Sequence, residues 1–172
     1  MPQITVHSLV GDLTVFEEDE KIVSLDWGSA ANTFRDGNQN GNATPVLKET
    51  ARQLGAYFAG KLKSFDLPLD PLGTPFQKNV CKQMLAIPYG ETRTYGDIAK
   101  NLNTSPRAVG NACGYNPIPV IVPCHRVLSG GGLGGYSGQG GLDTKQVLLR
   151  FEGVLLETST QPNLISTQPN LI

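Results

Sequence analysis

Cysteine is scarce in this chain, with three residues in 172, and Cys81, Cys113 and Cys124 form no Cys-x-x-Cys pair. That count argues against both a disulfide framework and a thiolate zinc site. Histidine is scarcer, with only His7 and His125, so no metal centre is expected, and no cofactor either. No apolar run approaches the roughly 20 residues that span a bilayer, and the first residues lack the basic-then-apolar order of a secretory signal. The expected setting is the cytoplasm, with no membrane partner.

Charge of one sign is also lacking overall, the net value being -1, but the halves differ. Residues 1–73 carry six Lys and Arg against ten Asp and Glu, whereas residues 74–153 carry eight against four. Only the second half presents a field that attracts a polyanion.

Alternating apolar residues predict short strands over 4–6, 11–16 and 21–27, the last two joined by the acidic turn Glu17, Glu18, Asp19, Glu20. A Gly/Asn/Ser-rich loop should follow over 28–44, then an amphipathic helix over 45–64 capped by Thr44. Prolines at 68, 71 and 75 mark an extended linker. Beyond it the pattern is mostly helical: 75–86 after Thr74, 95–102, 106–113, and 143–152 with Asp143 or Thr144 as cap. The helices at 95–102 and 106–113, separated by a three-residue polar turn, form a helix-turn-helix candidate. Small residues on the second of them (Ala108, Gly110, Ala112, Cys113, Gly114) suit close approach to another body, either DNA or a neighbouring helix. The fold class is thus α/β of the α+β kind, a small antiparallel sheet with a helix followed by a mostly helical unit. The expected divisions are 1–66, a linker at 67–73, 74–156, and a tail at 157–172 in which Ser-Thr-Gln-Pro-Asn-Leu-Ile occurs twice.

The stretch that carries chemistry is 118–128. Val120, Ile121 and Val122 have the composition of a buried strand, and Pro123 should end it. Cys124 alone would be a core cysteine; followed by His125 as a base and Arg126 as a fixed cation, it becomes a candidate nucleophile.

Pro-Cys-His-Arg-Val at 123–127 resembles the signature of the O6-alkylguanine-DNA alkyltransferases, the methylated-DNA-protein-cysteine methyltransferases. Flanking blocks match too: Gly-Thr-Pro-Phe-Gln at 73–77, Ile-Pro-Tyr-Gly-Glu at 87–91, Thr-Tyr-Gly at 94–96, Arg-Ala-Val-Gly at 107–110, Asn-Pro-Ile-Pro at 116–119 and Gly-Tyr-Ser-Gly at 135–138. Cys81 departs from the tryptophan usual there. The resemblance implies a ribonuclease H-like first domain, a winged-helix-like second domain, and irreversible single-turnover transfer of an alkyl group from O6 of a flipped-out guanine to Cys124, with O4-alkylthymine as a further candidate substrate. It implies His125 as the base acting through a water, Glu152 behind it, Tyr95 as donor to the substrate, and Asn116 as a brace. It implies Arg107 as the finger that fills the emptied stack, within a DNA-contacting set of Arg107, Ala108, Gly110, Thr94, Tyr95 and Arg126. The guanine pocket would be lined by Val127, Leu128, Tyr136, Ser137 and Gly138. The implied partner is double-stranded DNA containing alkylated guanine, bound in the minor groove by a monomer.

Three other readings compete with this one. Relatives that bind alkylated bases without chemistry have no acceptor cysteine, often tryptophan. A cysteine hydrolase would bring Cys and His together from distant positions. A plain winged-helix regulator leaves Pro-Cys-His-Arg unexplained.

Overall fold

The computed structural model describes residues 1–28 and 43–154. Most of the loop expected at 28–44, and the repeated tail, lie outside the described residues. The chain separates into two compact units, Met1–Gly73 with Pro117–Ile121, and Thr74–Asn116 with the chain from Val122 on. The mixed architecture, a small antiparallel sheet plus helices, agrees with the expected class. No helix among the described residues is long and apolar enough to cross a membrane.

The first unit is an antiparallel sheet in sequential order, β1 (Gln3–Ser8), β2 (Gly11–Glu18) and β3 (Lys21–Trp27). Asp19 and Glu20 both have positive φ, 51° and 62°, the turn type whose twist matches two flanking strands. Leu13, Val15, Ile22 and Leu25 are buried beneath helix α1 (Pro45–Phe58). Thr44 caps α1, its side chain accepting from the Leu47 amide at 3.1 Å, worth about 1 kcal/mol. The helix ends at Phe58, short of the expected residue 64, because Gly60 turns into positive φ (75°). Gly60 then donates to the Tyr57 carbonyl and Lys61 to that of Ala56, the two bonds of a glycine-terminated helix end. Residues 65–73 are extended but not a free tether. Ile22 exchanges backbone hydrogen bonds with Pro68 (2.8 Å) and Asp70 (2.9 Å), and the buried Gln53 amide bonds both backbone groups of Asp66.

The second unit contains α2 (Pro75–Leu85), β4 (Arg93–Thr94), α3 (Tyr95–Leu102), α4 (Pro106–Gly114), a 3-10 turn Cys124–Arg126, β5 (Val127–Leu128) and α5 (Gly141–Phe151). Thr74 and Gln77 form a reciprocal cap on α2 and Thr94 and Asp97 another on α3. Asn103 in the left-handed region (φ 58°) stops α3, and Ser105 caps α4 two residues later with Pro106 in its first turn. β4 and β5 pair in parallel, placing the start of α3 beside the chain that leaves the Cys-His-Arg turn. Val80, Met84, Ile98, Val109, Val127, Leu148 and Leu149 form the core.

Two expectations need correction. The β-branched run 120–122 is not a strand. Pro117, Pro119 and Pro123 remove the ladder donors, and the chain makes tight turns instead: the Ile121 amide reaches the Pro119 carbonyl (2.9 Å) around Val120 at φ 72°, and the Cys124 amide reaches the Val122 carbonyl (2.8 Å) around Pro123 at φ -83°, ψ 69°. A β-branched residue at positive φ is strained by about 1–3 kcal/mol. Helix α5 begins at Gly141, with Gly140 (φ 86°) at its cap position and no side-chain cap; the Thr144 hydroxyl instead donates to the Gln139 carbonyl at 2.5 Å.

Candidate active site

Pro123 fixes the entry into the turn, so that three consecutive side chains, Cys124, His125 and Arg126, are buried at the same place. His125 Nε2 lies 2.8 Å from Glu152 Oε2, and neither side chain has measurable exposure. Arg126 closes the arrangement, its Nε and Nη2 donating to the two Glu152 oxygens at 2.8 and 2.9 Å and its Nη1 to the Ile87 carbonyl at 2.7 Å. Burial alone would raise the Glu152 carboxyl, but hydrogen bonds and charge from His125 and Arg126 bring it down to about 2. An ionised carboxylate only accepts, so His125 Nε2 must donate to it. Burial lowers the His125 pKa, leaving a neutral ring whose Nδ1 carries the lone pair. That Nδ1 is buried and finds no hydrogen-bond partner among the described protein groups.

The Cys124 thiol is pushed up by burial and eased back by the Asn116 side-chain hydrogen bond and the charge of Lys145. Asn116 also donates from Nδ2 to the Val122 carbonyl at 2.8 Å, tying the end of α4 to the turn. Cys124 forms part of the wall of a cavity of about 370 Å³, together with Tyr95, Gly110, Cys113, Gly114, Gly135, Tyr136 and Ser137. This volume falls within the range of small-ligand sites. The glycines matter here. A Cβ on Gly134 (φ 74°) would sit 2.8 Å from the Tyr95 ring, so the loop lies against that ring only because position 134 has no side chain. The Tyr95 hydroxyl accepts from the Gly135 amide. The Tyr136 hydroxyl is buried with no partner among the described groups, and burial raises its pKa.

Of the residues singled out from sequence, Cys124, Tyr95, Gly110, Tyr136 and Ser137 meet at this cavity, with Asn116, His125 and Glu152 behind it. Val127, Leu128 and Gly138 are not on its wall: the Val127 carbonyl, expected to face the base, accepts from Lys145 Nζ at 2.7 Å, and the Gly138 carbonyl accepts from the Gly141 amide that starts α5. Arg126 was expected on the DNA-facing surface, but it is 7% exposed and occupied by Glu152 and Ile87. Nor is it the cation that eases the thiol, a part taken by Lys145. Arg107 is exposed at the first turn of α4, Ala108 is half-buried beside it, and the Thr94 hydroxyl is engaged in capping α3. Sequence reasoning singled out Cys113 and Gly114 only as small residues of the second helix, and it missed Gly135 and Lys145 as parts of the site. For Lys145 a signal existed, since it lies three and four residues before Leu148 and Leu149 on the apolar face of α5.

Comparison with known proteins gives one answer for both units. Residues 3–71 match the family model described as 6-O-methylguanine DNA methyltransferase, ribonuclease-like domain, and residues 75–154 that of the 6-O-methylguanine DNA methyltransferase, DNA binding domain. A methylated-DNA-protein-cysteine methyltransferase of Mycolicibacterium paratuberculosis is 43% identical over 152 residues, covering 86% of this chain and 90% of the relative. Its counterpart in Methanosarcina acetivorans is 58% identical over 110 residues, 62% of this chain and 69% of the relative. The crystal structure of Mycobacterium tuberculosis OGT in complex with DNA is similar with a TM-score of 0.72 at 42% identity, over 87% of this chain and 91% of that one.

Proposed function

Because the chain belongs to the 6-O-methylguanine DNA methyltransferase family, we propose that it repairs DNA by direct reversal, the Cys124 sulfur taking the alkyl group from O6 of an alkylated guanine once per molecule. The observation that carries this reading is the placement of that sulfur on the wall of a cavity, next to a buried His125–Glu152 pair.

The resting thiol is neutral because its burial disfavours the thiolate. Glu152 holds His125 in the tautomer with a bare Nδ1, and this atom, otherwise unpartnered, takes the thiol proton through one bridging water. The imidazolium so formed is stabilised by the carboxylate at 2.8 Å. The thiolate lone pair then forms the S–C bond while the C–O6 bond breaks, and the departing electron pair stays on the guanine, which takes up a proton. The Tyr95 hydroxyl, on the cavity wall, donates that proton and is reprotonated from solvent, which in turn takes the proton held on His125, and Ser137 contacts O6. The product is a thioether, which no group in the site can cleave.

The cavity cannot take a base still stacked in a duplex, so the nucleotide must be everted. The α4 residues Gly110 and Gly114 lie at the cavity, and exposed Arg107 stands three and seven residues before them on the same helix. A helix with such small side chains fits the narrow minor groove, where base readout is poor and a planar guanidinium can replace the extruded base.

Incubation with an oligonucleotide carrying one O6-methylguanine, followed by peptide mapping, tests the proposal. The expected result is one methyl group per chain, on Cys124, and none in Cys124→Ala. Repeated turnover, or a methyl group elsewhere, would overturn it.

A further inference from the structure

Lys145 is an ammonium in the interior of the second unit, with no measurable exposure, on a helix whose neighbours Leu148 and Leu149 are core. Burying a lysine costs several kcal/mol unless its donors are satisfied, and a methionine would fill the same space without that cost. Its Nζ donates to the Val127 carbonyl at 2.7 Å and to the Gly135 carbonyl at 3.0 Å, and lies 5.9 Å from the centre of the Tyr95 ring. These partners belong to three separate parts of the site: β5, just after Cys-His-Arg; the glycine-rich loop that supplies Tyr136 and Ser137; and the first residue of α3.

We propose that Lys145 is a positioning residue for alkyl transfer, its charged amine clamping the glycine-rich loop to β5 and to Tyr95 so that the cavity wall stands correctly against the Cys124 sulfur. The proposal rests on the alkyl-transfer reading and deepens it. Apart from this amine, loop residues 129–136 are anchored by the buried Leu133 side chain and by the Gly135 amide on the Tyr95 hydroxyl, and neither of these ties the loop to β5. Gly134 and Gly135 contribute no side chains, and the Ser129 hydroxyl bonds within the loop, to the Gly132 carbonyl. Removing the ammonium would leave the buried Val127 carbonyl without its donor and release the Gly135 carbonyl, freeing the wall from the strand.

The amine has a second effect through charge. The ionisable groups facing it are Tyr95 from α3, Cys113 from α4, and Cys124 and His125 from the turn. It favours the thiolate at Cys124 and disfavours the protonated form of His125. Burial brings Lys145 itself down to about 8, with the thiolates of Cys124 and Cys113 opposing. The clamp should therefore loosen as pH rises through about 8, in the direction opposite to the gain from thiol ionisation.

The test is single-turnover transfer from an O6-methylguanine duplex, with the transfer constant and half-saturation separated, across pH 6–10 at fixed ionic strength. Wild type should show an alkaline decline near pH 8 in the transfer constant while duplex affinity stays level. Lys145→Met, close in length and volume, should lose about 10²-fold in transfer, the scale of a 1 Å misplacement, and lose the decline near pH 8, with duplex affinity unchanged. A folded Lys145→Met that transfers at the wild-type rate overturns the proposal. If that variant does not fold, the wild-type profile decides: a transfer constant that keeps rising through pH 9 overturns the clamp, and a decline near 8 supports it. A wild type that places no methyl group on Cys124 refutes the functional reading itself, a separate result.

Discussion

Replacing Glu152 with glutamine keeps shape and removes one charge from the most connected buried carboxylate in the second unit. Three donors converge on it: His125 Nε2, Arg126 Nε and Arg126 Nη2, all within 2.9 Å. A glutamine oxygen can accept from one side, but its amine then faces a donor, and Arg126 is left as a buried cation without an anion. Breaking a buried pair by removing one partner costs about 3–5 kcal/mol. The acidity of Glu152 gives a consistent size, since a carboxyl moved from 4.5 to about 2 corresponds to on the order of 3 kcal/mol. For a chain of this length each kcal/mol moves the thermal midpoint by roughly 2–4 °C, so Glu152→Gln should melt about 6–20 °C lower. The pH dependence carries a definite sign. Glu152 is more acidic folded than unfolded, so its contribution is complete above pH 4.5 and disappears as pH falls toward 2, and the variant should lack that part of the slope. Transfer should fall by about 10²–10⁴-fold, because the glutamine amine can donate to His125 Nε2 and move the ring proton onto Nδ1, where the base is needed. Thermal melts from pH 2 to 7 and single-turnover transfer at pH 7 read these effects. A variant with wild-type melting and wild-type transfer would refute the assigned tautomer and the weight given to the pair.

Two further outcomes follow from the geometry. Gly134→Ala places a methyl group 2.8 Å from the Tyr95 ring at a φ of 74°, so it should cost about 1–3 kcal/mol and slow transfer with little change in duplex binding, checked by denaturant melts and gel shift. Arg107→Ala should slow repair of a duplex substrate while transfer from the free alkylated base is unchanged, because exposed Arg107 is outside the cavity; equal slowing on both substrates would remove it from base eversion.

How far the sequence discloses this molecule varies with the kind of signal. Helix starts are local: Thr44 and Thr74 cap as expected, and the helices at 95 and 106 begin where expected, capped by Thr94 and Ser105, whereas α5 starts at Gly141 without the Asp143 or Thr144 cap. The sheet is equally legible from alternation. The run at 120–122 misleads because β-branched composition and proline spacing compete, and three prolines in seven residues outweigh propensity. Arg126 misleads for another reason: a charged residue beside a nucleophile reads as a surface cation until Glu152 and Ile87, 26 and 39 positions away, are seen to enclose it. Lys145 is the same case reversed, a lysine on an apolar stripe whose partners are backbone carbonyls and leave no trace in side-chain identity.

The buried thiol has a consequence beyond the transfer step. A protein consumed by its own reaction is vulnerable to every small electrophile in solution, and an exposed, ionised cysteine would be alkylated long before it met damaged DNA. Here Cys124 is 5% exposed and burial holds its proton on, so folding makes the sulfur less reactive toward random encounters than it would be in the open chain. A soluble methylating agent thus meets a sulfur that is both shielded and protonated.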